Sequence, residues 1–262
     1  MALLAPRFQL CFAACGRYNE SVLPQLISAL GAAGLATFAG FHTMWPTSQL
    51  YGRTLVGPRD GSRRLALTYD DGPNDPYTFQ MMEVLARHDV KATFFLLGQF
   101  VEQRPDIARA LVAAGHAIGS HTWDHPNLIF APSSEVRRQL ERTRQAIRDA
   151  TGVDTSLFRP PFGGRRPASL RVARSLGLQP VMWSVTCYDW EPITAEQITA
   201  NAERQIRGGD IILLHDGEYH RMGVDRSRSV AATNRIVTRY KSESYEFVTI
   251  PQMMQLPVAG TQ

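Results

Sequence analysis

The apolar run Leu65-Ala-Leu-Thr-Tyr69 ends in two adjacent carboxylates, Asp70 and Asp71, and then in Gly72-Pro73, which cannot continue a strand. Neighbouring acids at a strand end are costly to hold together without a cation between them, and a metal ion fits that need. Candidate partners follow in His121-Thr-Trp-Asp-His125-Pro126, where two imidazoles stand four residues apart, a spacing that one helical turn brings to the same side. Two neutral histidines and one carboxylate, here Asp71, make a three-ligand site that leaves positions for water and substrate. Histidines paired in a loop are often incidental, so this pair gains its meaning from the acid.

Three further stretches carry chemistry of their own. Arg159-Pro-Pro-Phe162-Gly-Gly fixes an arginine at a strand end with two prolines, where it can hold a carboxylate ionised. The Gly163-Gly164 turn frees backbone N–H groups for an oxyanion, although the stretch also reads as a turn with a surface arginine. Asp189-Trp190 puts an acid beside a large aromatic, equally readable as a core tryptophan with a capping Asp. Leu213-Leu214-His215 ends the most apolar strand with an imidazole, which suits either a general acid working near neutral pH or a structural histidine.

The elements that must position these residues alternate between strand and helix from Arg64 onward. Patterning predicts helices over Thr78 to about His88, Pro105–Ala114, Ser134–Ala150, Pro167–Leu176, a segment opened by the capping box Thr194-Ala-Glu-Gln197, and Val230–Tyr240. Strands are expected at Lys91–Leu97, His116–Ser120, Leu157–Arg159, Pro180–Val185, Ile211–Leu214 and Phe247–Ile250. Such alternation implies parallel strands with right-handed crossovers, and seven or so units suggest a barrel. Asp70, Asp71, His121, His125, Arg159, Asp189 and His215 each fall just beyond the C-terminal end of a predicted strand, which in a parallel barrel is the active-site face.

At 262 residues, 44% hydrophobic and 20% charged, the chain has the composition of a globular protein. Its net charge of +4 is carried by arginine, since Lys91 and Lys241 are the only lysines, and no basic run is interleaved with aromatics. Nucleic acid is therefore not an expected partner. Cys11, Cys15 and Cys187 are an odd number without a CxxC, so no structural disulfide is implied. Phe12-Ala-Ala-Cys15-Gly16 resembles a lipoprotein cleavage box only loosely, because the apolar run before it is short.

No Asp, Glu, Lys or Arg occurs from Ser21 to Gly52, and Val22–Trp45 is apolar over the roughly 20 residues that cross a bilayer. A membrane partner through residues 22–45 is expected. A buried Ala/Gly-rich helix and a long signal peptide, with Arg7 and Arg17 ahead of it and a cut near Ala39, are the alternatives. Arginines flank both ends, so the positive-inside rule does not orient the segment. The expected organisation is an N-terminal segment 1–20, a transmembrane or signal-anchor helix 21–46, a linker 47–63, a catalytic domain 64–256 and a tail 257–262.

Thr68-Tyr-Asp-Asp-Gly-Pro73, His121-Thr-Trp-Asp-His125-Pro126, Arg159-Pro-Pro-Phe162, Asp189-Trp190 and Leu213-Leu-His215 together resemble the five ordered motifs of the polysaccharide deacetylases, carbohydrate esterase family 4, also called the NodB homology domain. The resemblance covers about Arg64 to Met254. It implies an α/β fold, a distorted, incomplete (β/α) barrel, and metal-dependent removal of N-acetyl groups from amino-sugar polymers such as peptidoglycan or chitin; some members are O-acetyl esterases acting on xylan. By that resemblance Asp71, His121 and His125 are the metal ligands, Asp70 the base and Arg159 its partner. The Phe162 backbone donates to the oxyanion, Asp189 tunes His215, His215 is the acid, and Leu213 and Trp190 wall the acetyl pocket.

Zinc is the divalent ion expected first from the ligand types. The catalytic domain is expected outside the cytoplasm, either membrane-anchored or secreted after cleavage. Two positions depart from the family pattern: the third motif usually ends in Tyr and here has Phe162, and an acid usual in the fourth is here Thr186. Both alter the pocket wall more than the chemistry. The rival readings are an O-acetyl esterase, a non-haem iron oxygenase with the same ligand set, and a membrane-tethered carbohydrate-binding protein without catalysis.

Overall fold

The computed structural model describes residues 22–255, so Cys11, Cys15, the arginines before Ser21 and the tail from 257 lie outside the described residues. Helix α1 (Val22–Met44) is exposed from Pro24 to Phe41. Among the described residues it is the one helix long and apolar enough to cross a membrane. An apolar helix exposed all round is costly in water and at ease in lipid. Among the described residues, those up to Phe41 form one unit and those from His42 form a second.

Period-two alternation builds the first strand of the second unit. In β1 (Arg64–Gly72), Leu65, Leu67 and Tyr69 join an outer core with helix residues such as Met81, Leu85, Ile236 and Val237. Ala66 instead packs with Phe95, Leu157, Ile211 and Leu213 in an inner core. Burying side chains of this size contributes about 1.5–3 kcal/mol each. Next in the chain come α2 (Tyr77–Arg87), β2 (Thr93–Leu96), α3 (Gly98–Gln103), α4 (Pro105–Ala113), β3 (Ala117–Ser120), α5 (Ser133–Thr151) and β4 (Leu157–Phe158). They are followed by α6 (Pro167–Ser175), β5 (Gln179–Pro180), β6 (Val185–Thr186), α7 (Ala195–Gln205), β7 (Asp210–His215), α8 (Ser227–Ser242), β8 (Glu246–Phe247) and α9 (Ile250–Met253).

All pairings are parallel, in the order β5-β4-β3-β2-β1-β7-β6, with β8 added to the start of β1. This is the expected barrel of about seven strands, left incomplete. The single strand expected over Pro180–Val185 is two short strands at opposite edges of the sheet. Between them Val181 to Ser184 crosses the opening, because Val181 N–H donates to Phe158 while Ser184 N–H reaches Ile211 on the far side. Ile250 opens a helical turn rather than closing a strand, with Thr249 accepting from the Gln252 N–H as its cap.

The stretch expected as a linker, 47–63, lies along this opening. Leu55 bridges to Val181 and bonds Pro180 and Met182, and the Arg59 N–H donates to Gly209. Before it, the buried Arg165 guanidinium donates to the carbonyls of Thr43, Trp45, Pro46 and Ser48, and to Gly163 beside the third motif. Burial lowers its pKa to about 10. A guanidinium caged by carbonyls has a large desolvation cost met only by those bonds.

Arg165→Met should therefore destabilise the fold by about 2–4 kcal/mol, since the mutation leaves buried carbonyls without their donor. Urea unfolding of the two chains checks this; a loss below about 0.5 kcal/mol would mean that water replaces the guanidinium.

Candidate active site

The two acids separate because β1 carries a bulge. Asp70 pairs with Phe95 of β2 but Gly72 with Leu96, so Asp71 is an extra residue, and its φ of 71° lies in the left-handed region. Successive strand residues normally face opposite sides; a bulge re-aims the extra one. Asp70 turns its Oδ1 to the Arg159 Nη1 at 2.8 Å, while Asp71 turns its Oδ1 to the Nε2 atoms of His121 and His125, at 3.4 and 3.5 Å. His121 Nε2 also stands 3.7 Å from Asp70 Oδ2, so the acids differ in their nearest partners and share this histidine as a neighbour.

Arg159 is wholly buried and held by every edge it has. It donates to Thr68 Oγ1 and Asp70 from Nη1, to the Met182 carbonyl from Nη2, and stacks over the Phe95 ring at 4.2 Å. Burial raises the Asp70 carboxyl, and the charges of Arg159 and His215 oppose that rise.

Asp71, His121 and His125 offer ligand atoms that all lie within 4.8 Å of one another, in a buried setting. Donors around a tetrahedral ion at about 2.0–2.2 Å stand roughly 3.3–3.6 Å apart, close to the Asp71–histidine spacings here. Asp71 Oδ1 is buried with no hydrogen-bond partner. Burial pushes this carboxyl up to about 7, with His215 opposing and Asp70 adding to the rise. Burial also lowers His121 to about 3 and His125 to about 2, leaving both rings neutral as ligands must be. The His121 Nδ1–H donates to the Arg159 carbonyl at 2.8 Å, which leaves Nε2 bare toward Asp71. The residues present therefore fit a divalent metal ion.

The loop bearing these histidines takes its shape from α5. Buried Gln139 accepts the Trp123 N–H at 2.8 Å and donates to Asp124, while His125 and Thr122 both have positive φ. The amphipathic pattern of α5 concealed this role, since Gln139 reads as a solvent-side polar residue.

His215 closes the other side. Its Nδ1–H donates to Asp189 Oδ1 at 2.8 Å, its backbone N–H to Asp189 Oδ2, and Ser229 Oγ donates to the same Oδ2 at 2.7 Å. Burial works against charging the imidazole, but Asp189, then Asp71 and Asp70, outweigh it and raise its pKa to about 9. The partners likewise hold Asp189 below the usual carboxylate range despite burial. Ser229 was not foreseen; it lies on α8, far in sequence from every motif.

These groups line one cavity of about 480 Å³. Asp70, Asp71, His121, His125, Phe162, Trp190, Leu213 and His215 all reach it, whereas Arg159 and Asp189 act from behind through Asp70 and His215. Sequence reasoning missed four further lining residues: Trp183, Glu218, Tyr219 and Arg226. Tyr219 stacks on His125 at 4.3 Å, and Phe162 packs edge-on to the same imidazole at 4.4 Å. The loop after β7 could have been found by the rule that located His215, because it too follows a strand end.

At the departing position, Thr186 Oγ1 accepts the Trp183 indole N–H at 2.9 Å and so sets a wall of the cavity. Phe162 has φ 57° and Gly163 φ 67°; a Cβ on Gly163 would lie 2.7 Å from the Trp183 ring. Cys187 is buried and its thiol is pushed well up, so it is inert.

An incomplete parallel α/β barrel with these groups at its strand ends defines a recognisable class, and comparison with known proteins gives the family. The family described as Polysaccharide deacetylase matches residues 57–181. A peptidoglycan-N-acetylglucosamine deacetylase of Listeria monocytogenes is 38% identical over 73% of this chain and 39% of its own length. A chitooligosaccharide deacetylase of Sinorhizobium fredii is 34% identical over 77% of this chain and 97% of its own.

Among solved structures, that of the Bc1960 peptidoglycan N-acetylglucosamine deacetylase, in complex with 4-naphthalen-1-yl-N-oxidanyl-benzamide, matches with a TM-score of 0.73 and 34% identity, over 78% of this chain and 94% of that one. The chain belongs to the polysaccharide deacetylase family. It spans about two fifths of the length of the Listeria relative.

Asp71→Ala should reduce bound divalent metal from near one equivalent to near none, because two imidazoles alone make a weak site. Elemental analysis of protein purified without added metal reads this, and undiminished metal in the variant would place the ion elsewhere.

Proposed function

We propose that this chain is a metal-dependent hydrolase that removes N-acetyl groups from an amino-sugar polysaccharide, peptidoglycan or a chitin-like oligosaccharide, with release of acetate. One observation carries the reading: the nearest partner of Asp70 is Arg159 and those of Asp71 are the two histidines, across one cavity from a His215–Asp189 pair. The names of the Listeria and Sinorhizobium relatives support the substrate class.

In this reading Asp71, His121 and His125 hold the divalent ion, zinc being the first choice for such ligands. When bound, the ion supplies a polarised carbonyl and a water of lowered pKa. Asp70, kept anionic by Arg159, accepts the proton of the attacking water. The Phe162 N–H donates to the oxyanion that forms. His215, held protonated by Asp189, gives its proton to the amine as the C–N bond breaks. Leu213 and Trp190, with Trp183 behind them, enclose the acetyl methyl and exclude water. An amide requires the His215 step far more than an ester, because an amine anion does not leave.

Helix α1, exposed and apolar, supports a membrane-anchored enzyme with its catalytic domain outside the cytoplasm, where these polymers lie. In the domain organisation that goes with this reading, residues 21–46 are the anchor and the catalytic domain extends to 256, with 47–63 acting as a strap along it.

Acetate release should be seen with N-acetylglucosamine oligomers and exceed that from acetylated xylan; release from xylan alone would make the enzyme an esterase. Asp70→Asn should lower kcat by about 10²–10⁴-fold with metal retained, and loss of metal instead would mean the two aspartates have exchanged roles.

The pH profile tests the acid. A His raised to about 9 is protonated below that value, so kcat/KM should fall as pH rises through about 9. Asp189→Asn removes the partner that raises it, and the falling limb should then move down toward the ordinary histidine value of about 6.5. An unmoved limb would assign it to another group.

A further inference from the structure

We propose that Tyr188, continuing outward from Trp190, forms a second sugar-binding facet that takes the pyranose next to the one being deacetylated. The inference rests on the reading of the site as a glycan deacetylase. Trp190 lines the cavity and packs edge-on against His215 at 5.4 Å. The Tyr188 ring lies 5.4 Å from the Trp190 ring, tilted by 57°, and is outside the cavity wall. The two are 47% and 43% exposed. Two aromatic faces in succession, separated by a distance comparable to one sugar unit, suit the apolar C–H faces of two consecutive pyranoses.

The backbone supports a role for the side chain itself. Tyr188 has φ 56°, a conformation disfavoured for a bulky residue and free for glycine. Its neighbours impose that conformation. Cys187 before it is buried, with its carbonyl accepting from Asn201 Nδ2 at 3.1 Å, and Asp189 after it is locked by His215 and Ser229. The Tyr188 carbonyl accepts the Glu191 N–H, completing the turn.

Between two inward-fixed residues the ring has only an outward course. A glycine would make the same turn with less strain, so the turn does not account for the tyrosine. Strained positions of this kind concentrate at functional sites, and large amphipathic rings at the rim of a site bind ligand surface at low entropy cost. The neighbouring Trp190 ring is fixed by its indole N–H donating to Glu191 Oε1 at 3.1 Å, so Tyr188 extends outward from a steady wall of the acetyl pocket.

Kinetics of the metal-loaded full chain on N-acetylglucosamine monomer, which has no neighbouring pyranose, and on its β-linked pentamer test the proposal. Tyr188→Ala should lower the pentamer-to-monomer ratio of kcat/KM about tenfold, through KM rather than kcat, and Tyr188→Trp should restore it. Tyr188→Gly should show the same loss with a thermal midpoint at or above that of the parent. A ratio that does not change, or a midpoint in Tyr188→Gly lowered by several degrees, overturns the platform in favour of a packing role.

Calorimetric binding of pentamer to the Asp70→Asn chain, with and without Tyr188→Ala, separates this from the catalytic reading. A Kd weakened about tenfold by the second substitution upholds the platform even where no acetate is released. Acetate release by the parent with an unchanged Kd overturns the platform and leaves N-deacetylation standing.

Discussion

The buried pairing of Arg159 with Asp70 is the contact on which most of the site depends. A guanidinium taken wholly out of water is sustained only when its donors and flat faces are met. Here they are met by β1 through Thr68 and Asp70, by the crossing segment through Met182, and by the Phe95 ring of β2. The Arg159 carbonyl in turn fixes the tautomer of His121. One residue just beyond β4 thereby bears on the ionisation of the carboxylate proposed as the base, on the orientation of a histidine proposed as a metal ligand and on the path of the chain across the open side of the barrel.

The second constraint is the unequal treatment of two adjacent acids. Burial raises both carboxyls, the charge of Asp70 adds to the rise at Asp71, and the fold gives Asp70 the Arg159 cation and Asp71 two neutral imidazoles. The β1 bulge makes this possible, since without the extra residue Asp70 and Asp71 would face opposite sides of the sheet. His215 completes the pattern as a cation opposite two acids, its charge favoured by Asp189 behind it.

The opening of the barrel is where chain segments distant in sequence meet. Val181 to Ser184 crosses it, Leu55 pairs along it, and Arg165 ties the chain after α1 to the loop that carries Phe162. The segment after the apolar helix is therefore part of the barrel's architecture. Its Pro and Gly content reads as a linker because such residues report local irregularity. They carry no information about long-range bonding.

The barrel, its strand-end chemistry and the pairing of residue types were legible in the sequence, because period-two alternation, helix signals and motif residues are local and their order is preserved in a parallel fold. Seven strand-end positions come from that reading, and Phe162, Leu213 and Trp190 come from the family resemblance; the structure brings all ten to one cavity or directly behind it. Which acid faces which partner came from the family resemblance and not from patterning, since it turns on a one-residue bulge that no local pattern shows. Nor could the sequence state that Gln139, Ser229 and Tyr219 support the site, or that Pro180–Val185 divides between two sheet edges. Those depend on contacts between residues far apart in the chain, whose energies are settled only when burial removes water and each polar group must find its partner within the folded protein.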